Sequence, residues 1–505
     1  MMKSSLRRPH RWWLSVLLAL LLTYPVSAQD YDAVLRGGLI VDGSGAPGFM
    51  GDIAIVDGLL EVAEPGSIPA QGESIDIDVS GLVVAPGFID IHTHARADLV
   101  SPDSALMLNY LTQGVTSVMI GNDGDGATRI KSRFDRIFDH GAGTNVGQFV
   151  GHASLRRRVM DSTDRPATPD EIEAMKALLS QAMSEGALGL STGLFYAGGA
   201  FATTEEVIEL AKVAKAMDGI YESHIRAESS RGVGVHAAVD EVIEIAEASD
   251  VHAHIAHIKV LGKDVWGESG SIVKKIDAAR ARGLAITADQ YPWVASSTQL
   301  KSAVISKELQ TGGMEGIRAR LASPTERVGM LSDMAMNIER RGGSNSLLLV
   351  ETQDPKWHGL RLDVIAERLQ VSSPEAAARL LEEGRARVVS FNMTEPDIET
   401  FMRQPWVATS SDGTQGHPRK YGSFPRKYAT YVRERGVISL EQYVRASAGL
   451  PAEVLGLSDR GIIADGYKAD VLVFDPATFS EQADFEVWNR LSSGAIHVLV
   501  NGVFA

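Results

Sequence analysis

Ala85-Pro86-Gly87-Phe88-Ile89-Asp90-Ile91-His92-Thr93-His94 is the stretch on which the fold turns. An apolar run follows a Pro-Gly break and ends in two histidines. Residues two apart on a strand share a face, so His92 and His94 point the same way. Two co-facial imidazoles where an apolar strand runs out suit a metal at the C-terminal mouth of a parallel barrel. Taken alone, the pair reads more often as two polar residues at a strand end.

Outward from that stretch the chain alternates strand-like and helix-like segments. Thr168-Pro169-Asp170-Glu171 is a capping box with proline at the first helical position, and it opens a helix to about Ser184. A strand over 187–191 follows. Thr203-x-x-Glu206 caps a second helix, and strand 220–224 comes after Gly219. Helix 237–248 precedes strand 253–258, and helix 271–282 precedes strand 284–289. This rhythm implies a parallel α/β sheet. Strand candidates begin near residues 86, 115, 146, 187, 219, 253, 284, 387 and 405, one more than an eight-stranded barrel takes. The stretch near 387 is the suspected surplus. Between about 295 and 357 the rhythm lapses, which marks an insertion.

The two ends have a different texture. Residues 29–85 and 456–505 hold short β-rich runs broken by glycine turns, and neither end has enough strands for its own core. They are expected to fold together as one small β-sandwich domain, with the barrel, 86–455, inserted between them.

Residues 1–28 read as a secretory signal. Lys3, Arg7, Arg8 and Arg11 precede an apolar run shorter than the ~20 residues of a membrane span, and Pro25-Val26-Ser27-Ala28 supplies small residues for cleavage before Gln29. Export to a periplasm is the expectation, with no membrane segment afterwards. Loss of the leader's four positive charges takes the formal charge from −15 to −19. A polyanion of that kind is a poor binder of nucleic acid or anionic membrane. The chain has no cysteine among its 505 residues, which excludes disulfides, thiol nucleophiles and thiolate metal sites.

Any transition metal must therefore be held by imidazole and carboxylate. His224 ends a second strand. His257 and Lys259 share one face of a third, with His252 and His254 on the other. Asp412 follows Trp406-Val407-Ala408-Thr409-Ser410-Ser411, where another strand meets a glycine. Asp412 alone would more often be a turn residue; four strand ends each offering a histidine or aspartate are far more specific. A divalent ion with histidine ligands and an open position lowers the pKa of water to roughly 7, and a nearby carboxylate can take the proton and return it to a leaving amine. Asp412 fits that second role.

These residues resemble the amidohydrolase superfamily and, within it, the D-aminoacylase (N-acyl-D-amino-acid deacylase) family. The resemblance runs from about Tyr31 to the C-terminus. It is carried by 85–94, Gly189-Leu190-Ser191-Thr192-Gly193-Leu194, His257-Ile258-Lys259, Ser411-Asp412-Gly413, His417-Pro418-Arg419 and Phe424-Pro425-Arg426. It implies a (β/α)8 TIM-like barrel with a small β-domain from both ends and an insertion. It also implies His92 and His94 at one metal position, His224 and His257 at the other, and Asp412 as general base and then acid. Lys259, Tyr291 and Arg419 match residues that hold the substrate's α-carboxylate, for which Lys, Arg and a Tyr hydroxyl are chemically suited. Tyr196 matches a position near the substrate carbonyl. His152, at another strand end, reads equally as a structural hydrogen-bonder or a participant.

One motif departs. The family's turn Gly-Asn-Cys-Gly is here Gly121-Asn122-Asp123-Gly124, so Asp123 stands where relatives place a cysteine ligand. A carboxylate can bind zinc and can bridge two ions. One or two zinc ions are expected, with manganese or another divalent ion favoured more than in a thiolate site. The implied activity is metal-dependent cleavage of N-acyl-D-amino acids, small-molecule substrates. Dipeptide or cyclic-amide hydrolysis, and a non-catalytic exported binding protein, are the competing readings.

Overall fold

The computed structural model describes residues 31–69 and 74–505, so the leader expected at 1–28 lies outside the described residues. Among the described residues no helix is long and apolar enough to cross a membrane.

Eight parallel strands carry the centre of the fold. They are Phe88–Asp90, Val115–Ile120, Asn145–Gln148 continued by Val150–Gly151, Gly189–Gly193, Ile220–His224, Ala253–Ile255, Ile286–Gln290 and Val407–Thr409. Each pairs in parallel with the next. The ring closes through a parallel bridge between Thr93 and Gly413, where the Asp412 amide donates to the His92 carbonyl at 2.9 Å. The barrel's seam is thus made by candidate site residues.

Local signals built the helical layer. The Thr168–Glu171 capping box is formed in both directions, opening Pro169–Ser184. Thr203 caps Thr204–Ala216 by accepting from the Glu206 amide. Leu179, Val207, Leu210, Val239 and Val242 bury against Leu190, Tyr221, Ile255 and Ile286 of the strands, one apolar layer between helices and barrel.

The ninth strand candidate is Arg387–Phe391, and it lies outside the barrel. It pairs antiparallel with Ala295–Gln299 and Leu347–Glu351. The inserted unit therefore extends to Phe391 rather than to about 357, and it packs its own core of Leu300, Met334, Leu349, Leu380 and Val388. The helices Leu362–Leu369 and Ser373–Glu383 followed by a strand imitate one more βα unit in sequence. Only the antiparallel register Ala295 to Phe391 separates the two.

The chain ends share a sheet. Val471–Phe474 lies antiparallel to Val83–Pro86, just before the first barrel strand. In Ala33–Ile40 the register shifts between Leu35 and Gly38, and the strand's first half pairs with Ile75–Asp78, its second with Val83–Val84. The sheet splits there into two leaves, and Leu35, Ile77, Val84 and Val473 pack together.

Candidate metal centre

The strand ends deliver the side chains to one point. Asp123 occupies the turn after the second strand with φ of 57°, and Gly193 permits this turn to sit against the fourth strand, since a Cβ there would lie 2.2 Å from the Asp123 carbonyl. The Asp123 carboxylate is then the hub. Its Oδ1 lies 3.3 Å from His224 Nδ1, 3.4 Å from His257 Nε2 and 3.6 Å from His92 Nε2; its Oδ2 lies 3.4 Å from His94 Nε2. His92, His224 and His257 are buried, and His94 stands at the mouth with 36% of its side chain exposed.

The sixth strand departs from expectation. It ends at Ile255, and His257 takes a left-handed φ of 35°. Strand alternation therefore does not place His257 and Lys259; the bend does, held by the Asp289 carboxylate accepting from the His257 amide at 3.0 Å. Asp412 is also left-handed, at 46°. Three of the converging residues thus sit in backbone that costs about 1–3 kcal/mol each and persists only where neighbours hold it.

Buried imidazole atoms here face carboxylates without completing hydrogen bonds to them. Neither nitrogen of His92 nor the Nε2 of His224 makes a hydrogen bond of good geometry, although Glu222 stands 3.0 Å from His92 Nδ1 and Glu228 3.7 Å from His224 Nε2. Three overlapping sets, His92/His94/Asp412, His92/Asp123/His257 and His224/Glu228/His257, each bring their ligand atoms within 4.8 Å of one another. Burial lowers the pKa of His92, but Asp123, Glu222 and Asp289 outweigh it and push it up to about 10. Burial and Lys259 likewise act against Asp412, Asp123 and Glu228 at His257, which ends at about 9. So many carboxylates around imidazoles call for added positive charge. Imidazole nitrogens without good hydrogen bonds and anionic oxygens are the donor chemistry of a divalent cation, and the residues fit one.

Asp412 faces this centre with Oδ1, 3.2 Å from His94 Nε2, and gives Oδ2 to Arg419 Nη1 at 2.7 Å. Burial raises its pKa, but Arg419, then His257 and His94, hold it well below the usual carboxylate range. Arg419 is 1% exposed, lies 4.5 Å from the Tyr291 ring centre and does not reach the cavity wall. Of the expected substrate clamp, Arg419 stands against Asp412 in a buried pair, behind the cavity wall. Lys259 and Tyr291 do line the cavity, which holds about 570 Å³. Lys259 Nζ lies 2.5 Å from Glu228 and 2.6 Å from His257 Nδ1. The Tyr291 hydroxyl has no partner, and burial keeps it neutral. Tyr196 lines the opposite wall, its ring 4.7 Å from that of His224, and burial foremost raises its hydroxyl too.

His152 is not brought to the site. It is fully buried with Nε2 2.8 Å from Glu206, whose carboxylate also takes Arg156 at 2.6 Å. The strand end it occupies turns it into the helical layer.

Sequence reasoning missed Glu222, Asp289 and Glu228. Glu222 lies 3.0 Å from His92 Nδ1 and could have been found, since it sits two residues before His224 on one strand face. Asp289, near the end of the seventh strand, receives the His257 amide and His254 Nε2. Glu228 follows no strand and gave no signal.

Residues 77–505 match the amidohydrolase family. The chain is 34% identical to D-aminoacylase of Alcaligenes xylosoxydans xylosoxydans, covering 94% of each, and 32% identical to that organism's N-acyl-D-glutamate deacylase, covering 94% of this chain and 93% of the relative. Among solved structures it resembles N-acyl-D-glutamate deacylase from Bordetella bronchiseptica, complexed with zinc and a phosphonate inhibitor, with a TM-score of 0.80, 31% identity and coverage of 94% and 96%.

Proposed function

The chain belongs to the amidohydrolase family, and from that premise we propose that it hydrolyses the amide bond of N-acyl-D-amino acids, yielding a carboxylate and a free D-amino acid. One observation carries the reading: four imidazoles from three strand ends meet the Asp123 carboxylate beneath a cavity whose wall holds Lys259 and Tyr291. The D configuration comes from the relatives, a D-aminoacylase and an N-acyl-D-glutamate deacylase.

His92, His94, Asp123, His224 and His257 would hold one or two divalent ions, zinc being the ion of the Bordetella relative. When bound, a divalent cation polarises a carbonyl and acidifies water. The chain's own residues do the rest. Asp412 Oδ1 takes a proton from the attacking water and returns it to the departing amine, while Arg419 fixes Oδ2 and keeps the carboxylate ionised. The neutral Tyr196 hydroxyl donates to the substrate carbonyl oxygen. Lys259 and the unpartnered Tyr291 hydroxyl anchor the α-carboxylate, and Glu228 balances the lysine.

Export to a periplasm belongs to the same proposal, supported by the charged, apolar and small-residue segments of 1–28. Elemental analysis of the purified protein, with hydrolysis assays on N-acetyl-D- and N-acetyl-L-amino acids and dipeptides, tests the chemistry. Bound zinc with D-selective release of amine is expected; turnover of dipeptides alone would replace the reading. N-terminal sequencing of the protein from cell fractions tests the leader.

A further inference from the structure

Below the metal centre, Ile89, Ile91, Met119, Phe149, Ile220 and Ala408 come from strands around the ring and meet in one apolar cluster, which fills the barrel's interior. A file of polar groups runs beside it. On the sixth and seventh strands Ala253, Ile255, Ile286 and Ala288 pack into the helical layer, so His254, Thr287 and Asp289 turn inward. All three are buried. Because the chain bends at His257, both His254 and His257 face the interior.

His252 Nε2 lies 2.9 Å from Thr287 Oγ1, Thr287 Oγ1 2.8 Å from His254 Nδ1, and His254 Nε2 3.0 Å from Asp289 Oδ2. A hydroxyl both gives and accepts, so Thr287 satisfies both rings, whereas an ionised carboxylate only accepts. His254 Nε2 therefore carries the proton that it shares with Asp289. The other oxygen, Oδ1, accepts from the His257 amide at 3.0 Å and from the Ser410 hydroxyl. Those contacts reach two of the left-handed residues of the site. His257, at φ 35°, is held directly, and Asp412, at φ 46°, through the strand end just ahead of it. Asp289 can serve both only while its carboxylate plane is fixed. Without the His254 donor, Oδ2 is left to His92 Nδ1, 3.9 Å away, and a carboxylate that turns toward it draws Oδ1 off the His257 amide.

We propose that His254 is a positioning residue: by donating Nε2–H to Asp289 Oδ2 it fixes the carboxylate whose Oδ1 sets the His257 ligand and the strand end before Asp412. Thr287 holds the ring in that orientation from its far side, and His252 holds Thr287. The kinetic consequence rests on the deacylase reading above and deepens it, while the consequence for the bound ion needs no turnover.

Zinc affinity of the purified full chain, measured by competition with a chelator of known affinity, is the first test. His254→Leu keeps the bulk and removes both hydrogen bonds, and it should weaken zinc about 10- to 100-fold, the range for a residue that orients a metal ligand from behind. His254→Gln can still donate to Asp289 and accept from Thr287, and it should recover most of that loss. The same order, wild type above His254→Gln above His254→Leu, is expected for kcat on N-acetyl-D-amino acids. Nitrogen NMR of zinc-loaded protein with labelled histidine gives a signature that bulk alone would not move. The ring whose signals vanish in His254→Gln should be protonated at Nε2, and Thr287→Val should shift it. Zinc binding within about threefold of wild type in His254→Leu, equal losses in the two variants, or a His254 ring bare at Nε2 overturns the assignment. Should His254→Leu fail to fold, Thr287→Val, which frees the ring at Nδ1, takes its place: zinc weakened severalfold keeps the assignment, and unchanged zinc ends it. If no N-acyl-D-amino acid is turned over, the deacylase reading has failed, and zinc affinity and ring protonation still decide the role of His254.

Discussion

Asp412 and Arg419 divide one carboxylate between them, with Oδ2 tied to the guanidinium and Oδ1 turned to the reacting centre. Replacing Asp412 by Asn keeps the shape and removes the proton acceptor. Turnover should fall at least about 10²-fold while bound metal, measured by elemental analysis, stays near the wild-type level. Near-normal kcat would take Asp412 out of proton transfer. Arg419→Gln separates holding the carboxylate from holding substrate. Burial raises the Asp412 carboxyl and Arg419 is the main group opposing it, so losing Arg419 lets the pKa rise. The acidic limb of the kcat/KM profile should then move to higher pH, with KM changed less than kcat. A large KM increase with an unmoved limb would return Arg419 to the substrate clamp. Much at this scale was legible in sequence. His92, His94, His224 and Asp412 all stand at or just past strand ends that the sequence marks, and the position of Asp123 in its glycine turn was readable from the motif. What was not legible was occupancy: that Arg419 is buried against Asp412, and that Glu228 and Asp289 face inward, depends on which side chains meet across the barrel.

Helix caps announced the helices because their chemistry is local: the Thr168–Glu171 capping box and the Thr203 cap on the Glu206 amide are complete within four residues. Long-range pairing did not announce itself. The strand Arg387–Phe391 reads like a barrel strand until its antiparallel partners are known, and the strand to His257 stops early because Asp289, from another strand, bends it. The helix Thr204–Ala216 shows how one residue serves two elements. Glu206 sits in its first turn and reaches the helix His152–Val159, taking Arg156 and His152 in a buried cluster. Burial raises the Glu206 carboxyl, but His152 and Arg156 bring it down to about 2. Glu206→Gln should cost about 3 kcal/mol, since it leaves the Arg156 charge buried without its carboxylate. The sign with pH follows from a depressed carboxyl: the stabilisation is complete above the ordinary value of 4.5 and is lost as pH falls toward about 2. Denaturant unfolding at pH 7 and near pH 3 should show the wild-type advantage shrinking in acid. With metal content intact, kcat should stay within about twofold, because none of these residues lines the cavity; a selective loss of turnover would restore His152 to the site.

At the scale of the whole molecule, both chain ends, the barrel seam and the inserted unit converge on one cluster of charge. The end sheet leads through Val83–Pro86 directly into the first barrel strand, and the seam closes between His92 and Asp412. Whatever neutralises the cluster should therefore stabilise the fold as a unit. Without an ion, His92 and His257 carry pKa values of about 10 and 9, because the surrounding carboxylates outweigh burial. Both imidazoles are then protonated at neutral pH, and an ion must displace those protons to use the nitrogens. Zinc uptake at pH 7 should release about two protons, visible as a calorimetric heat that changes with the ionisation enthalpy of the buffer. Affinity should weaken as pH falls and strengthen toward pH 9 as His257 deprotonates unaided. The same linkage makes the ion a stabiliser of the folded state, by about 2.7 kcal/mol when free ion is a hundredfold above its dissociation constant. Chelation should thus lower the melting temperature of the barrel and of the end sheet in one transition. Heats independent of buffer would mean that the imidazoles are already neutral without an ion, and the carboxylate cluster would then not be what draws a cation to this mouth.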